Sequence, residues 1–434
     1  MRTRGFVVSI ALLSLTLSSA PARGAGFAIS EWGARALGMA NAVVGLADDP
    51  SAIVFNPAGL AQQEGLGLSA GLTLVTPSFG YTLPAPGTTT NVDVDGETLV
   101  FPIPAIYATY RVHDRVAAGL GVYSMYGLGI QWPETVNVPG EVAPRGWWGR
   151  SMVQEVDLKT AFITPTVAVK LHDYVLLGGG LSIIQSAVYL KRAVTLSGQT
   201  DDDITVELSG DDLAISGTAG LLIKAIPGRL NVGMSWRGGA KFVYEGDAAF
   251  TRTGGVPAGL RSRLIDGPGG AAVEMPHQFS FGVAAFPLEG LTVGVGLDVY
   301  TWSSYKELAL TFSDLPDAPT RSALNSADPK NWSNTIALRV GGEYLVTPDI
   351  PVRLGFAFDQ SPAPDTTVGP ELPDADRYEF ALGAGYRFGG FSIDAAYLYL
   401  FTGDNETAAT APLVGTYRAD AHLIGLNLGY QLEI

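Results

Sequence analysis

Apolar and polar side chains alternate along this chain in segments of about ten residues, and turn-forming residues separate the segments. In AHLIGLNLGYQLEI (421–434), every even-numbered residue from Ile424 onward is apolar, whereas the odd-numbered residues from 425 onward are Gly, Asn, Gln or Glu. The same alternation runs through LTVGVGLDVY (291–300), YEFALGAGYRF (378–388) and FSIDAAYLYLF (391–401). Because successive side chains of a strand point to opposite faces, each segment predicts a strand with one apolar face. Such strands are typical of transmembrane β-barrels.

Short turns and long polar loops alternate along the chain, and together they predict the number of strands. Six tight turns are expected near 113–114, 172–173, 227–228, 288–290, 347–351 and 389–390. Seven longer loops are expected near 81–98, 129–150, 194–212, 248–275, 313–331, 361–375 and 403–417. Bacterial outer-membrane barrels have short periplasmic turns, longer outer loops and an even number of strands. The sequence therefore predicts an all-β, 14-stranded antiparallel transmembrane β-barrel, with a soluble β-sandwich as the alternative.

The composition supports a membrane-embedded barrel and excludes several other classes of protein. Charged residues make up 16% of the chain, below the roughly 25% of soluble domains. A formal net charge of −15 argues against nucleic acid as a partner, because phosphate groups are neutralised by clustered Lys and Arg. The chain has no cysteine, which excludes disulfides and thiolate metal sites.

The N-terminus has the features of a secretory signal peptide. Arg2 and Arg4 precede the apolar run FVVSIALLSLTL (6–17), which is too short to span a membrane as a helix. Small residues follow and predict a signal peptide over residues 1–24, with cleavage after Gly24 or, alternatively, after Ala22. An exported β-barrel is expected in the outer membrane of a Gram-negative bacterium. Its expected partners are outer-membrane lipid and lipopolysaccharide, and the barrel-assembly machinery during biogenesis.

Residues 25–65 do not follow the strand pattern. The stretch GARALGMANAVVGLA (33–47) consists mostly of small residues, and DDPSAIVFNPAG (48–59) contains two turns that begin with Asp-Pro and Asn-Pro. A 14-stranded barrel is wide enough to leave a lumen unless something fills it. The sequence therefore predicts a luminal plug of short helices over residues 25–65 and a barrel over residues 66–434.

The plug sequence also resembles a known family. AGFAISEWGARALGMANAVVGLADDPSAIVFNPAGL (25–60) resembles the N-terminal hatch of the FadL/TodX family of outer-membrane transporters for long-chain fatty acids and aromatic hydrocarbons. The likeness continues in family order through MPHQFSFGVAAF (275–286), DVYTWSSYKEL (298–308), RLGFAFDQSPAP (353–364) and LPDADR (372–377).

The resemblance implies passive, ligand-gated uptake of a hydrophobic small molecule that leaves sideways through the barrel wall. It implies that Phe27 lines the ligand pocket and that Asn56, Pro57 and Ala58 govern the conformation of the hatch. An inward kink is implied in the third strand, where Gly119 and Gly121 are the expected kink positions. Lateral exit keeps the ligand out of water, where about 15 methylenes would cost roughly 12 kcal/mol.

The ligand itself is left open by the sequence. A fatty-acid carboxylate is expected to meet a basic residue, and Arg339 and Lys330 are the candidates. Such basic residues also form ordinary ion pairs inside a barrel, for example with Glu343, Asp359 or Glu379. Uptake of an uncharged aromatic or alkane hydrocarbon is therefore the first alternative. A general porin and an adhesin-type barrel are the second.

No enzymatic activity, cofactor or metal site is expected. GLSAG (67–71) fits the G-x-S-x-G pattern of serine hydrolases, but it lies in the predicted first strand, whereas that pattern requires a sharp turn between a strand and a helix. The four histidines suggest no arrangement with serine and an acid.

Overall fold

Fourteen antiparallel strands close into one barrel in the computed structural model, which describes residues 26–433 except 31, 85–90, 196–199, 201–202 and 253. The strands, some of them interrupted once, are β1 (Leu66–Pro84), β2 (Phe101–His113), β3 (Val116–Tyr123 and Gly127–Gln131), β4 (Glu155–His172), β5 (Val175–Val194), β6 (Ile204–Ile226), β7 (Leu230–Arg237 and Lys241–Arg252), β8 (Gly267–Glu274 and Gln278–Leu288), β9 (Leu291–Tyr300 and Glu307–Phe312), β10 (Ser326–Pro329 and Thr335–Thr347), β11 (Ile350–Asp359), β12 (Arg377–Phe388), β13 (Phe391–Thr402 and Asn405–Glu406) and β14 (Thr416–Leu432). β14 pairs with β1 from Leu66↔Leu432 to Thr82↔Thr416, which closes the barrel. The predicted 14-stranded antiparallel barrel is confirmed. The predicted signal peptide, residues 1–24, lies outside the described residues.

The apolar faces of the strands point outward. On β14, Ile424, Leu426 and Leu428 are 55%, 58% and 62% exposed, whereas Leu423 is 1% exposed. A β-sandwich would bury such a row between its two sheets, so this alternative is excluded. Among the described residues, no helix is long and apolar enough to cross a membrane.

Several strands extend further than the sequence predicts. β6 begins at Ile204, inside the loop expected at 194–212, and Ile204 pairs with Val194 of β5 and Arg252 of β7. The observed loops are shorter than the expected ones, because neighbouring strands continue their hydrogen bonding beyond the roughly ten residues that cross the membrane.

Residues outside the barrel strands form short elements. These are α1 (Ala34–Leu37), α2 (Ala52–Phe55), α3 (Ala258–Arg261) and α4 (Ala318–Leu324), the 3₁₀ helices Pro57–Gln62, Trp148–Ser151 and Trp302–Ser304, and the strands Asn91–Asp95, Thr135–Val136 and Arg145–Gly146. α1 contacts β1, β12, β13 and β14, whereas the helix Pro57–Gln62 contacts β3, β4, β5 and β6. The N-terminal segment, defined here as residues 26–63, thus lies against inward faces of the wall.

Glycines of the wall allow the backbone of the N-terminal segment to approach closely. A Cβ atom at Gly282 of β8 would lie 2.7 Å from the backbone nitrogen of Gly45, and one at Gly294 of β9 would overlap the carbonyl of Ala42. Other wall glycines that meet the segment in this way are Gly178, Gly220, Gly233, Gly341, Gly355 and Gly383. Close packing therefore accounts for part of the high glycine content, because only glycine leaves room for another backbone at these positions.

Candidate ligand-binding site

An apolar cavity of about 430 Å³ lies between the start of the N-terminal segment and the wall. Residues 26–29 form one side, and residues of β1 to β4 and β12 to β14 form the other. Its apolar lining includes Phe27, Val75, Phe79, Ile103, Leu158 and Leu423. Small hydrophobic ligands bind in cavities of this size and character, so this cavity is the candidate binding site.

Phe27 anchors the N-terminal segment beside the cavity through a cluster of aromatic rings. Its ring centroid lies 4.8 Å from that of Trp302, 5.5 Å from that of Trp332 and 5.7 Å from that of Tyr305. The side chain is 6% exposed and lines the cavity, and its role in ligand binding stays a prediction. Edge-on and tilted ring pairs at these distances are favourable, so Phe27 holds the start of the N-terminal segment in place.

The polar part of the cavity includes a buried ion pair, and the more exposed pair of Lys159 and Asp157 also lines the cavity. The Gly26 nitrogen donates to Asp374 Oδ2 over 3.2 Å, and Arg377 Nη2 donates to Asp374 Oδ1 over 3.0 Å and to the Gly26 carbonyl. Burial raises the pKa of Asp374, which lies in the loop before β12, while Arg377 acts in the opposite direction. Arg377 therefore lines the cavity with its charge already compensated by a carboxylate.

The wall is interrupted beside the cavity, between β2 and β3. Their ladder runs from His113↔Val116 to Ile106↔Val122, and no described pair continues it beyond that point. Beyond the pair Ile106↔Val122, residues 101–105 of β2 pair with β1, and residues 127–131 of β3 pair with β4. The outward-facing Pro102, Pro104 and Val122 also line the cavity, so it reaches the lipid-facing side here. We call this opening the wall gap.

The N-terminal segment and β4 satisfy the backbone at the interruption of β3. Ile29 N donates to the carbonyl of Met125 over 2.9 Å, and Gly127 N donates to the carbonyl of Phe27 over 3.1 Å. Trp32 Nε1 donates to the carbonyl of Ser124 over 2.6 Å. These contacts link the position of the N-terminal segment directly to the edge of the wall gap.

The interruption of β3 lies at residues 124–126 and not at Gly119 or Gly121, where the sequence analysis expected the kink. Gly119 pairs with Thr109 and Thr166, and Gly121 pairs in the same register with β2 and β4. A Cβ atom at Gly119 would lie 2.8 Å from Leu60 Cδ2, and one at Gly121 would lie 2.9 Å from Ile53 Cγ2. The two glycines therefore make room for the N-terminal segment and do not bend the strand.

Asn56 fastens the N-terminal segment to the wall. Its Nδ2 donates to the carbonyls of Val44 and of Leu221 on β6, each over 3.1 Å, and its Oδ1 accepts from Ala58 N over 3.2 Å. Pro57 follows as the first residue of the 3₁₀ helix, and both Pro57 and Ala58 are buried. The triplet thus has a structural role in docking, and its role in gating stays a prediction.

The two candidate carboxylate partners are both paired with acids and lie outside the cavity lining. Arg339 lies 2.9 Å from Asp298, 3.3 Å from Glu379 and 3.6 Å from Asp359. Lys330 pairs with Glu371. The structure therefore matches the alternative of ion pairing inside the barrel.

Asp374 and Arg377 are not among the site residues predicted from the sequence, although both lie in the stretch LPDADR (372–377). The available signal was the placement of two acids and an arginine at the start of a predicted strand. Identifying them also required the position of Gly26, which lies about 350 residues earlier in the chain.

Comparisons with known proteins identify the family of this barrel. Residues 15–432 match the family model described as "Outer membrane protein transport protein (OMPP1/FadL/TodX)". The chain belongs to this family. It is therefore an outer-membrane transport protein for hydrophobic compounds.

The relatives are distant in sequence but match over nearly their full length. The 47 kDa outer membrane protein of Pasteurella multocida is 24% identical over 99% of both chains, and the long-chain fatty acid transport protein of Escherichia coli (strain K12) is 20% identical over 98% of both. The crystal structure of a Pseudomonas aeruginosa FadL homologue superposes with a TM-score of 0.80 at 22% identity, covering 94% of this chain and all of that one. The Pseudomonas putida toluene transporter TodX gives 0.68 at 16% identity, covering 94% and 99%. At these identities, the structures support the fold alone.

Proposed function

We propose that the protein takes up long-chain fatty acids, which bind in the cavity and leave through the wall gap into the outer membrane by passive diffusion. The observation that carries this proposal is a single apolar cavity that touches the N-terminal segment on one side and the wall gap on the other. Its volume of about 430 Å³ is nearly three times that of a cavity of roughly 150 Å³ that holds benzene, which favours a ligand larger than benzene.

The N-terminal segment acts as the hatch in this proposal. Residues 26–29 line the cavity, and residues 27, 29 and 32 hydrogen-bond to the interrupted part of β3. A ligand that displaces Phe27 or shifts these residues also changes the contacts at the wall gap. Ligand binding and opening of the gap are thereby coupled, and the gate consists of residues 26–29 together with residues 124–127.

A second candidate ligand is an uncharged hydrocarbon. Arg377 is the basic residue next to Gly26 in the cavity, and Asp374 already compensates its charge. A carboxylate ligand would have to share Arg377 with Asp374, or share Lys159, which also lines the cavity, with Asp157. An alkane or aromatic hydrocarbon needs no charged partner.

Equilibrium binding to the purified protein, measured for oleate, hexadecane and toluene, tests both candidates. The proposal expects oleate to bind, Arg377→Gln to weaken oleate binding, and the charge-retaining Arg377→Lys to weaken it less. Phe27→Glu is expected to abolish binding by placing a carboxylate among aromatic rings, and Phe27→Leu is the matched control. Binding of hexadecane or toluene but not oleate would instead support the hydrocarbon candidate.

A further inference from the structure

We infer that Pro102 and Pro104 of β2 keep the wall gap open, because they remove the two backbone donors that would otherwise extend the ladder between β2 and β3. This inference deepens the proposed function, since it assumes that the gap is the exit route. It explains why pairing ends at Ile106↔Val122 although both strands continue beyond that pair.

The direction of the backbone groups along β2 follows from one hydrogen bond. Arg111 N donates to the carbonyl of Gly65, at the start of β1, over 2.9 Å. The register between β1 and β2 is unbroken from Tyr110 to Phe101. Because backbone groups alternate sides along a strand, odd-numbered residues of β2 point their N–H groups at β1 and even-numbered residues point them at β3.

The two prolines occupy the next two donor positions beyond the last pair. Continuing the register from Ile106↔Val122 sets Pro104 opposite Ser124 and Pro102 opposite Tyr126. Both would be hydrogen-bonded pairs of an antiparallel ladder, and proline has no N–H to donate. Proline inside a sheet is tolerated where its nitrogen faces an unpaired edge, and the wall gap provides that edge.

The backbone carbonyls of β3 to which these prolines cannot donate a hydrogen bond accept hydrogen bonds from other groups. Ser124 O accepts from Trp32 Nε1 of the N-terminal segment over 2.6 Å. Tyr126 O accepts from Thr160 Oγ1 of β4 over 2.7 Å, and the same hydroxyl oxygen accepts from Tyr126 N over 3.1 Å. The carbonyls opposite Pro104 and Pro102 are therefore satisfied without β2, which is the arrangement expected if the gap is a built feature.

An edge without N–H donors also suits an apolar passage. Unpaired backbone donors are strongly unfavourable in hydrocarbon, where no water can satisfy them. Pro102 and Pro104 are both exposed, so at these two positions β2 presents ring carbons to the gap where other residues would present N–H groups. The Pro-Ile-Pro sequence (102–104) is thus a positioning element that fixes where the wall opens.

The test exploits the absence of cysteine from the chain. In a closed wall, Ile103 and Met125 would form a non-hydrogen-bonded pair with Cα atoms about 4.5 Å apart, within the range of a disulfide. Closure of the wall is therefore measured as disulfide formation between Ile103→Cys and Met125→Cys. The two cysteines are introduced into the native chain and into the double variant Pro102→Val/Pro104→Val. Restoring two hydrogen bonds is expected to accelerate disulfide formation about 30-fold. The matched control is Pro165→Val, which replaces an exposed proline of β4 away from the gap.

Uptake of radiolabelled oleate, measured in the same variants without the cysteines, separates this inference from the proposed route. Faster cross-linking together with reduced uptake supports both. Faster cross-linking with unchanged uptake supports the role of the prolines and contradicts exit through the gap. Cross-linking no faster than in the native background overturns the inference, whatever the uptake. If the double variant fails to insert, Pro104→Val alone carries the test with an expected acceleration of about 5-fold.

Discussion

Replacing Asn56 by alanine tests how the N-terminal segment is held against the wall. The side chain is fully buried and makes three hydrogen bonds, to Val44, Leu221 and Ala58. Only the bond to Leu221 joins the segment to the wall, and one such bond contributes about 1 kcal/mol net, so its loss is expected to weaken docking of the segment by about 1 kcal/mol. Because about 1.4 kcal/mol corresponds to a factor of ten, the undocked population is expected to rise roughly 5-fold.

An undocked segment opens the lumen to water and ions, so single-channel recording in planar bilayers measures this population. The fraction of time spent in conducting states is expected to rise roughly 5-fold in Asn56→Ala. Gln62→Ala is the matched control, because the Gln62 amide donates to the carbonyls of Leu46 and Ala47 inside the segment and not to the wall. Equal conductance of the native protein and Asn56→Ala would refute the reasoning.

Three further outcomes are expected. Glu343→Gln removes a buried carboxylate that lies 3.0 Å from Arg35 and 2.7 Å from Arg353. The free energy of unfolding is therefore expected to fall by about 3 kcal/mol, and an unchanged denaturant midpoint would contradict this. Gly294→Ala displaces the backbone of the N-terminal segment and is expected to raise ion conductance, whereas Gly342→Ala, with its nearest neighbour at 3.6 Å, is expected to leave it unchanged. The native protein is expected to conduct little because the N-terminal segment is predicted to plug the lumen, and a steady, large conductance would favour the porin alternative.

The strand number was predictable from the sequence because it depends on local patterns. Alternation with a period of two identifies each strand, and turn residues mark where it ends, as at Gly389 and Gly390 between β12 and β13. These two glycines have φ angles of 52° and 84°, which a tight hairpin requires and which glycine adopts without strain. Such information is contained within a few neighbouring residues.

The position of the wall gap was not predictable in the same way. It depends on the register between β2 and β3, which decides that two prolines face Ser124 and Tyr126. Gly119 and Gly121 were read as a bend because a glycine in a strand often marks one. Their actual role, close contact with Ile53 and Leu60, depends on residues that precede them by about 60 positions.

The ion pairs inside the barrel were also not predictable from local sequence patterns. Arg35 and Glu343 are separated by 308 positions, yet their side chains lie 3.0 Å apart. Arg339 is buried inside the barrel, and its three acidic partners come from β9, β11 and β12. The pairing of each luminal charge could be assigned only once the strands were arranged around the barrel.

The most direct test of the account is the initial rate of radiolabelled oleate uptake by cells that lack their own fatty-acid importer. The native protein is compared with Ile103→Glu, which places a carboxylate in the cavity beside the wall gap, and with the volume-conserving Ile103→Leu. The account predicts uptake well above cells without the protein, retained in Ile103→Leu and lost in Ile103→Glu at equal levels of inserted barrel. Uptake that is equally fast in Ile103→Glu would contradict passage through the cavity and the wall gap.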